Sequence, residues 1–427
     1  MIENLDKTQK RIFDLIENTS RNAFIQGQAG TGKSYLIDTI RSASTKGVVV
    51  ACPTAIAAMN VHGVTLHSLF RLAPKDIYDP KETVNTRNTT NDIVLRAIEV
   101  LIIDEISMVR PDLLDTIDLI LQDVKRNKKP FGGIQVCLVG DLYQLPPVIK
   151  SDVREIFKDK YGYECAYFFD SKSYQKAKFK KFELEKVYRQ QDKELLANLI
   201  KMRSKKDLKE VVRYFNDQKD IDEKLFDNAV TITPYRDIAD QINNDKLAEI
   251  KQKKKTFLAE CSGSFENAKE TPAPKELTLK IGAQVIFIKN DTNKEWINGT
   301  MGIVKSYTDD TVIVQLIEDT EKIVYVNKEK WHTHKYFHDK ISNRITEVET
   351  GEFTQFPLQL GYALTIHKAQ GKTLSRVIVD FDRGVFAPGQ CYVALSRTRN
   401  KKDMLLKTNI TEKDIKIDKR ISEFLGD

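Results

Sequence analysis

The sequence predicts an α/β protein in which two parallel-sheet lobes carry a small inserted β-barrel and a second, smaller insertion. Three observations support this prediction. A glycine-rich loop stands between an apolar strand and a helix at residues 27–34. Short apolar runs then alternate with helical patterns, which is typical of parallel sheets covered by helices. Between residues 280 and 330 the pattern changes to closely spaced short strands, which indicates a separate antiparallel unit.

The composition describes a soluble globular protein of several domains. A chain of 427 residues is too long for one ordinary core, so we expect about two to four domains. Hydrophobic residues make up 41% and charged residues 30% of the chain. Lys and Arg number 68 against 61 Asp and Glu, a net charge of +7 that is compatible with nucleic-acid binding without establishing it.

Cysteine usage and the absence of targeting signals favour a cytoplasmic protein. None of the five cysteines has C-x-x-C spacing, which is typical of reduced thiols inside a cell and not of a disulfide or zinc framework. No apolar run reaches the length of a membrane span, and the acidic N-terminus lacks the features of a signal peptide. We therefore expect no membrane partner. The cysteines are Cys52, Cys137, Cys165, Cys261 and Cys391.

Residues 27–34 match G-x-x-x-x-G-K-[ST], the phosphate-binding loop. The preceding apolar strand and the following helix supply the context that the motif needs, which disfavours a glycine-rich turn without a ligand. Lys33 is predicted to reach the β- and γ-phosphates of ATP, and the Ser34 hydroxyl to bind Mg²⁺. The residues expected to surround the phosphates are Gly27, Gly30, Thr31, Gly32, Lys33 and Ser34.

A second apolar strand, residues 100–103, runs directly into Asp104 and Glu105. A carboxylate at such a strand end holds Mg²⁺ in nucleotide sites, and Glu105 is then placed to orient and deprotonate the attacking water. The alternative for this acidic pair is a helix cap. The phosphate loop upstream favours the catalytic interpretation.

Other polar residues near strand ends extend the predicted site. Gln9 lies in an opening helix over residues 5–18, and its amide suits the edge of adenine, although taken alone it favours a surface position. Residues 53–70 follow a strand at 48–52 and suit a surface that grips a ligand, with ordinary loops and caps as the alternative. Gln144, just past the strand at 134–141, is placed to sense the γ-phosphate.

The remaining segments complete the predicted lobes. Residues 71–95 are polar and indicate a small insertion or mobile loop. The lysine-rich stretch 172–181 indicates a solvated face or a linker near a domain boundary. The other predicted elements are helices at 33–41, 55–61, 110–126, 193–202, 237–250 and 410–425, and strands at 230–233, 284–288, 302–307, 311–317, 322–326, 358–363 and 376–381.

One phosphate loop in a chain with two α/β lobes suggests that ATP is held in a cleft and that hydrolysis needs a cation from the second lobe. Arg189 and Arg397 are candidates for this arginine-finger role. For each of them a surface position is the alternative.

The order of these motifs resembles that of the superfamily 1 DNA helicases, and most closely the petite-integration-frequency (PIF) type, from about residue 5 to residue 399. The most specific match is the run from Pro111 to Pro147, with its Phe-Gly-Gly-Ile-Gln and Gln-Leu-Pro-Pro segments. Residues 103–108, 365–371 and 392–397 support it.

The resemblance implies two RecA-like lobes that translocate 5′ to 3′ on single-stranded DNA and open duplexes. The implied partners are single-stranded DNA and forked or tailed duplex DNA, and the implied motor is monomeric. It places Gln9 on adenine, Tyr188 stacked on the base, Arg189 and Arg397 on the γ-phosphate, Gln144 as a coupling sensor and Gly371 at the nucleotide. The residues implied near the DNA strand are Thr54, His67, Thr365, His367 and Lys368.

The resemblance also implies a domain layout. Residues 1–70 and 96–175 would form the ATP-binding lobe, and residues 176–280 and 356–427 the second lobe. Residues 71–95 would carry a strand-separating wedge. Residues 281–355 would form an SH3-like β-barrel that helps to enclose DNA.

Two departures and three alternatives remain. The chain lacks the long extensions of eukaryotic members, which indicates a minimal bacterial or phage-type enzyme, and Glu185 stands where the family often has Thr. An RNA helicase, a small-molecule kinase or an ATP-gated single-stranded nucleic-acid-binding protein would share many of these features. Quadruplex DNA is a further substrate that the resemblance allows.

Overall fold

The computed structural model describes residues 2–73, 78–147, 149, 155–190, 192–219, 221–268, 271–339 and 344–426. It divides into two compact units, which we describe separately. The first contains residues 1–142, 146–188 and 333–350, and the second contains residues 143–145, 189–332 and 351–427. Within the described residues, no helix combines the length and apolar character needed to cross a membrane.

The first unit alternates strands and helices as the sequence predicts. In chain order its elements are α1 (Lys7–Asn18), β1 (Asn22–Gly27), α2 (Lys33–Ala43), β2 (Val48–Cys52), α3 (Ala55–Asn60), β3 (Val64–Thr65), α4 (Leu66–Phe70), α5 (Pro80–Thr86), α6 (Asp92–Ala97), β4 (Val100–Ile103), α7 (Pro111–Lys125), β5 (Gln135–Gly140), α8 (Lys172–Lys176) and β6 (Phe179–Leu184).

These six strands form one sheet in the order β3-β2-β4-β5-β1-β6, and every pairing in it is parallel. The central strands are buried on both faces, as expected where helices cover the two sides of a sheet. Parallel pairing brings the carboxyl ends of the strands to one edge. The phosphate loop and Asp104 therefore open at the same edge.

The boundary between the two units differs from the predicted one. Residues from 176 onward were predicted to belong to the second lobe, but β6 pairs with β1 from Asn22↔Phe179 to Gly27↔Leu184. The first unit therefore continues to Tyr188. Of the two alternatives predicted for the lysine-rich run, the solvated face is confirmed, because Lys180 and Lys181 are exposed on the edge strand β6, and the linker near a domain boundary is wrong.

Residues 78–97 contain two short helices, α5 and α6, which pack against α7. Asp112, in the first turn of α7, accepts hydrogen bonds from the Tyr78 amide (2.8 Å) and from two nitrogens of Arg110 (3.0 Å each). Asn91 donates its side-chain amide to the Leu69 carbonyl at 2.7 Å. The described part of the insertion is thus held by buried polar contacts, which agrees with the small insertion that was one of the two predicted alternatives. Residues 74–77 lie outside the described residues.

The second unit combines a parallel sheet with antiparallel strands. Its elements are α9 (Lys193–Arg203), α10 (Leu208–Asn216), β7 (Val230–Thr233), α11 (Arg236–Glu249), β8 (Lys255–Leu258), β9 (Glu260–Cys261), β10 (Glu276–Leu279), β11 (Gln284–Phe287), β12 (Met301–Tyr307), β13 (Thr311–Leu316), β14 (Ile323–Asn327), β15 (Glu329–Asp339), β16 (Arg344–Gln355), β17 (Leu358–Leu360), β18 (Ala363–Thr365), α12 (Ile366–Ala369), β19 (Val377–Val379), α13 (Gln390–Leu395), β20 (Met404–Leu406) and α14 (Lys419–Leu425). Residues 333–350 of β15 and β16 belong to the first unit.

The parallel sheet of this unit has the order β18-β7-β19-β20. The inserted antiparallel sheet has the order β14-β13-β12-β11-β17 and shares one apolar core with the β8–β10 ribbon. The single strand predicted at residues 358–363 is in fact two. β17 pairs with β11 in the inserted sheet, and β18 begins the parallel sheet, because the chain crosses between them at Gly361 and Tyr362.

Two other predictions at the C-terminal end were incomplete. Most of residues 336–353, which the sequence pattern left unassigned, lies in the long strands β15 and β16. The closing helix predicted over residues 410–425 begins only at Lys419, where Asp418 accepts a hydrogen bond from the Arg420 amide as its cap.

Candidate nucleotide and nucleic-acid site

The phosphate loop connects β1 to α2, as the motif predicts. Gly30 and Gly32 have φ values of 82° and 80°, a region that favours glycine. The Lys33 ammonium donates to the carbonyls of Gly27 (2.7 Å) and Gln28 (3.1 Å), and the Thr31 hydroxyl donates to Gln28 at 2.9 Å. Lys33 is therefore held within the loop, and Ser34 is exposed in the first turn of α2.

Gln9 and Tyr188 both contact the phosphate-loop segment. Gln9 is buried (2% exposed), so the surface position that it favours when taken alone is wrong. Its side chain completes a capping box with Asp6 and donates to the Gly32 carbonyl at 3.5 Å. The Tyr188 amide donates to the Gly30 carbonyl at 2.8 Å, while its ring is 51% exposed. An amide edge and an exposed aromatic face thus border the same glycine, Gly32, where an added Cβ would lie 2.9 Å from Gln9 Nε2 and 3.6 Å from the Tyr188 ring.

Asp104 and Glu105 end β4 in different environments. Asp104 is 5% exposed, and its Oδ1 atom has no hydrogen-bond partner among the described residues. Burial raises the pKa of Asp104, and the charge of Lys33 opposes this shift. Glu105 is half-buried and adopts a left-handed backbone conformation (φ 51°, ψ 43°) that directs the chain into a 3₁₀ turn. A buried carboxylate is chemically suited to bind a divalent cation when one of its oxygens accepts no hydrogen bond from the described residues.

A polar pair that we did not predict lies at the same edge. Gln26, near the end of β1, donates to the Asp141 carboxylate at 3.2 Å and accepts from the Leu142 amide at 3.3 Å. Both side chains are buried, at 3% and 0% exposure. The signal in the sequence was a polar residue at the end of each apolar strand, and the pair ties the phosphate-loop strand to the segment that leads to Gln144.

Thr54 and His67 follow the neighbouring strands β2 and β3, whose ends pair at Cys52↔Thr65. Thr54 caps α3 by accepting from the Ala57 amide at 3.2 Å. His67 is half-buried, its ring lies 6.2 Å from that of Tyr78, and burial together with the charge of Arg110 lowers its pKa. These two predicted DNA-binding residues therefore share one edge of the first sheet.

Thr365, His367 and Lys368 repeat this arrangement in the second unit. Thr365 ends β18 and caps α12 by accepting from the Lys368 amide at 3.3 Å. The side chains of His367 and Lys368 both reach solvent. Neighbouring protein atoms still remove part of the water around the His367 ring, which lowers the pKa of His367. The structure brings these three predicted residues together in one turn.

Arg189 retains hydrogen-bonding capacity. Its Nη2 atom donates to the Gly371 carbonyl at 3.1 Å, whereas its buried Nη1 atom has no partner among the described residues. Burial lowers the pKa of Arg189. A guanidinium with an unused donor is suited to bind an additional anion.

Arg397 is enclosed within the second unit. It is 0% exposed. Its three nitrogens donate to the carbonyls of Val393 (2.6 Å), Ala369 (3.1 Å) and Lys372 (3.2 Å) and to the Ser396 hydroxyl (2.7 Å). In this conformation a phosphate would have to replace one of these partners to reach Arg397.

Gln144 belongs to the second unit together with its two neighbours. Its backbone passes so close to Gly389 that a Cβ on this glycine would lie 2.2 Å from the Gln144 carbonyl oxygen. The adjacent Tyr143 ring lies 4.6 Å from the Arg203 guanidinium. The predicted sensor therefore follows a strand of the first unit in sequence but packs with the second.

The loop, the parallel sheet and the acidic end of β4 define this protein as a P-loop nucleoside triphosphatase. Residues 4–220 match the PIF1-like helicase family. ATP-dependent DNA helicase Pif1 of Bdellovibrio bacteriovorus is 33% identical over 412 residues, which cover 94% of this chain and 87% of that protein. The Campylobacter jejuni helicase of the same name is 30% identical over 421 residues, which cover 91% and 90%.

Solved structures agree with this assignment. Unliganded Pif1 from Bacteroides sp. superposes with a TM-score of 0.88 at 33% identity and covers 99% of this chain and 96% of that one. Bacteroides Pif1 in complex with ADP-AlF3 and ssDNA gives a TM-score of 0.70 at 35% identity, with the same coverage. The chain belongs to the PIF1-like helicase family, and its two parallel-sheet units are RecA-like lobes.

Proposed function

We propose that this protein is an ATP-dependent DNA helicase that moves 5′ to 3′ along single-stranded DNA and separates duplexes ahead of it. The observation that carries this proposal is that the phosphate loop and the Asp104–Glu105 strand end meet at one edge of the first sheet. Nucleic-acid candidates lie beyond neighbouring strands of that sheet, at Thr54 and His67. Relatives of this chain carry the name ATP-dependent DNA helicase.

The residues present fit Mg²⁺ as a cofactor of ATP. The vacant, buried Oδ1 of Asp104 and the exposed Ser34 hydroxyl would hold the ion, directly or through water. When bound, Mg²⁺ would neutralise part of the negative charge of the phosphates. The fit rests on Asp104, whose buried Oδ1 atom has no hydrogen-bond partner among the described residues.

Each remaining site residue has a proposed task. Lys33 exchanges its loop carbonyls for the β- and γ-phosphates, and Glu105 accepts a proton from the attacking water. Arg189 offers its unused donor to the γ-phosphate. Arg397 would have to break one of its hydrogen bonds to reach the phosphate. We therefore assign it first to stabilising the fold of the second lobe. Gln144 acts as the sensor that links nucleotide state to movement.

Different residues select the nucleotide and contact the DNA. Gln9 binds the adenine edge and Tyr188 stacks on the base, with Gly371 holding Arg189 at the nucleotide. The DNA backbone is bound by Thr54, His67, Thr365, His367 and Lys368. Such contacts give sequence-tolerant binding.

The larger segments also have proposed roles. The insertion at residues 71–95 carries the strand-separating wedge, and the inserted sheet within residues 281–355 helps to enclose DNA. We propose a monomeric motor in the cytoplasm, with single-stranded and forked or tailed duplex DNA as substrates.

Phosphate release measured with and without nucleic acid tests this function. We expect ATP hydrolysis to rise steeply with single-stranded DNA and less with RNA of the same length. Phosphate transferred to an acceptor would indicate a kinase instead. Equal stimulation by RNA would favour an RNA helicase, and a rate indifferent to DNA would exclude a DNA motor.

A further inference from the structure

The segment of residues 369–375, here called the connecting segment, joins α12 to β19 and is held by both predicted finger arginines. Arg189 donates to its Gly371 carbonyl, and Arg397 donates to its Ala369 and Lys372 carbonyls. The Leu374 amide donates in return to the Arg397 carbonyl at 3.0 Å. A displacement of this segment would therefore displace both guanidinium groups.

The same segment contacts the inserted antiparallel sheet. The Lys372 ammonium donates to the Asn298 side-chain oxygen at 2.6 Å. Asn298 and Gly299 lie in the connection between β11 and β12, and a Cβ on Gly299 would lie 2.4 Å from the Thr373 carbonyl oxygen. With a φ of +102°, Gly299 allows the two backbones to approach this closely.

A second contact joins the same two parts of the chain. The Ser375 hydroxyl donates to the carboxylate of Glu318, which follows β13 in the inserted sheet. Two connections of the inserted sheet therefore contact the connecting segment, one at Lys372 and one at Ser375. Two contacts restrict the movement of the segment relative to the sheet more than a single contact would.

The partial burial of the Lys372 ammonium costs free energy, which is unusual for a residue with only a structural role. Burial, with the charge of Lys368 as a smaller cause, lowers the pKa of Lys372 to about 8. Its side-chain partner Asn298 is neutral and does not offset the burial of a positive charge. Groups whose pKa is shifted by burial are found preferentially at functional sites.

We propose that Lys372 and Asn298 are positioning residues through which the inserted sheet sets the positions of Arg189 and Arg397. The inference rests on the proposed function, since it requires that ATP hydrolysis respond to DNA. DNA held by the inserted sheet would shift the Asn298 connection, and the connecting segment would pass this shift to the arginines. Lys372 touches neither nucleotide nor DNA in this account.

The test measures ATP hydrolysis by Lys372→Met, Asn298→Leu and the double variant, with and without oligo(dT). In each we expect the DNA-stimulated kcat to fall about tenfold, because coupling between two sites is commonly of this size. The unstimulated rate and the KM for ATP should change by less than about twofold, since no residue that contacts ATP is altered. The double variant should be no worse than either single variant, because both remove one interaction.

Two further variants separate this role from a loss of folding. Lys328→Met removes a lysine that directly follows β14 of the inserted sheet and donates to the Glu260 carboxylate at 3.2 Å, outside the β11–β12 connection. It should keep full stimulation. Lys372→Arg retains a donor for Asn298 and should recover part of the stimulation.

Three results would overturn the inference: stimulation unchanged in both single variants, equal losses with and without DNA, or additive losses in the double variant. If the unaltered protein shows no stimulation by DNA at all, the proposed function fails first. The two failures can therefore be told apart.

Discussion

Glu105 occupies a left-handed backbone conformation that few non-glycine residues adopt. Such conformations are retained where the surroundings enforce them, and they cluster at functional sites. The preceding Asp104 is fixed by β4, whose last pairing is Ala51↔Ile103. A strand end followed by a sharp turn therefore separates the two carboxylates, so that one can bind a cation and the other can accept a proton.

Glu105→Gln tests this division of labour. The amide keeps the shape of the side chain but cannot accept a proton, so turnover should fall on the order of 10²-fold or more. Binding of ATP and of DNA should be retained, as measured by fluorescence anisotropy. Unchanged hydrolysis would remove Glu105 as the base.

Gln9→Glu tests the adenine assignment. The carboxylate still accepts from the Asp6 amide, so the capping box survives, but the amide donor is lost. We expect the preference for ATP over GTP to shrink by about tenfold, measured as the ratio of the two hydrolysis rates so that any general loss of stability cancels. Retained preference would contradict the assignment. A matched control is Asp418→Ala, which removes the cap of another helix, α14.

The cysteines allow a test of burial by pH. All five are free thiols, and burial raises the pKa of Cys137 to about 12. The thiolate is the reactive form, and a raised pKa keeps it scarce until the pH approaches that value. Between pH 7 and about pH 9, a thiol reagent should therefore modify half-buried Cys261 first and leave Cys137 intact until the protein unfolds. Equal labelling of both in folded protein would contradict the described packing.

At the scale of single residues, the sequence was informative where chemistry is local. Lys33 and Ser34 follow from eight consecutive residues. The burial of Gln9 did not follow from its neighbours in the sequence, because Gln9 contacts Gly32, which lies 23 positions away. Arg189 and Arg397 looked equivalent in the sequence, and only the hydrogen bonds of the folded chain show that a donor of Arg189 has no partner among the residues that the structure describes.

Among the elements, α7 organises the region around the insertion. Gly132 permits the turn that follows α7, since a Cβ there would lie 2.4 Å from the Leu121 carbonyl oxygen. The start of the helix anchors residues 78–97 through Asp112. The Phe-Gly-Gly run was recognised from the sequence as part of a family signature. Its physical reason, this close approach to α7, became evident only in the structure.

Asp112→Ala should loosen the insertion. Removing one partner of a buried ion pair costs about 3 kcal/mol or more, and the substitution removes an acceptor that Arg110 and the Tyr78 amide share. Hydrogen exchange of residues 78–97 should accelerate, and duplex unwinding should fall more than ATP hydrolysis. Asp38→Ala, which removes a surface pair with Arg41, is the control. Unchanged exchange at Tyr78 would refute the anchoring role.

The predicted elements were mostly correct where a periodic pattern was long, as in α7. They failed where a strand lies at a sheet edge or where the chain changes sheets. The polar edge strand β6 carries exposed lysines, so its composition resembled a linker. At residues 358–363 one apolar run serves two sheets, and the change of direction has no local signal beyond Gly361.

For the whole molecule, the excess of +7 charges is small, so DNA binding should depend on where cations are placed. The logarithm of the affinity for oligo(dT) should fall linearly with the logarithm of salt concentration, by about 0.7 per neutralised phosphate. Lys368→Ala should reduce this slope by about one phosphate equivalent without changing sequence preference. A slope identical to that of the unaltered protein would exclude Lys368 from the backbone contacts.

The proposed function requires that ATP hydrolysis drive directional movement along DNA. Strand displacement on duplexes with a 5′ tail, a 3′ tail or no tail measures this directly. We expect ATP-dependent displacement of the 5′-tailed duplex, and little from the other two. Displacement from the 3′ tail alone, or none from any substrate despite DNA-stimulated hydrolysis, would contradict it.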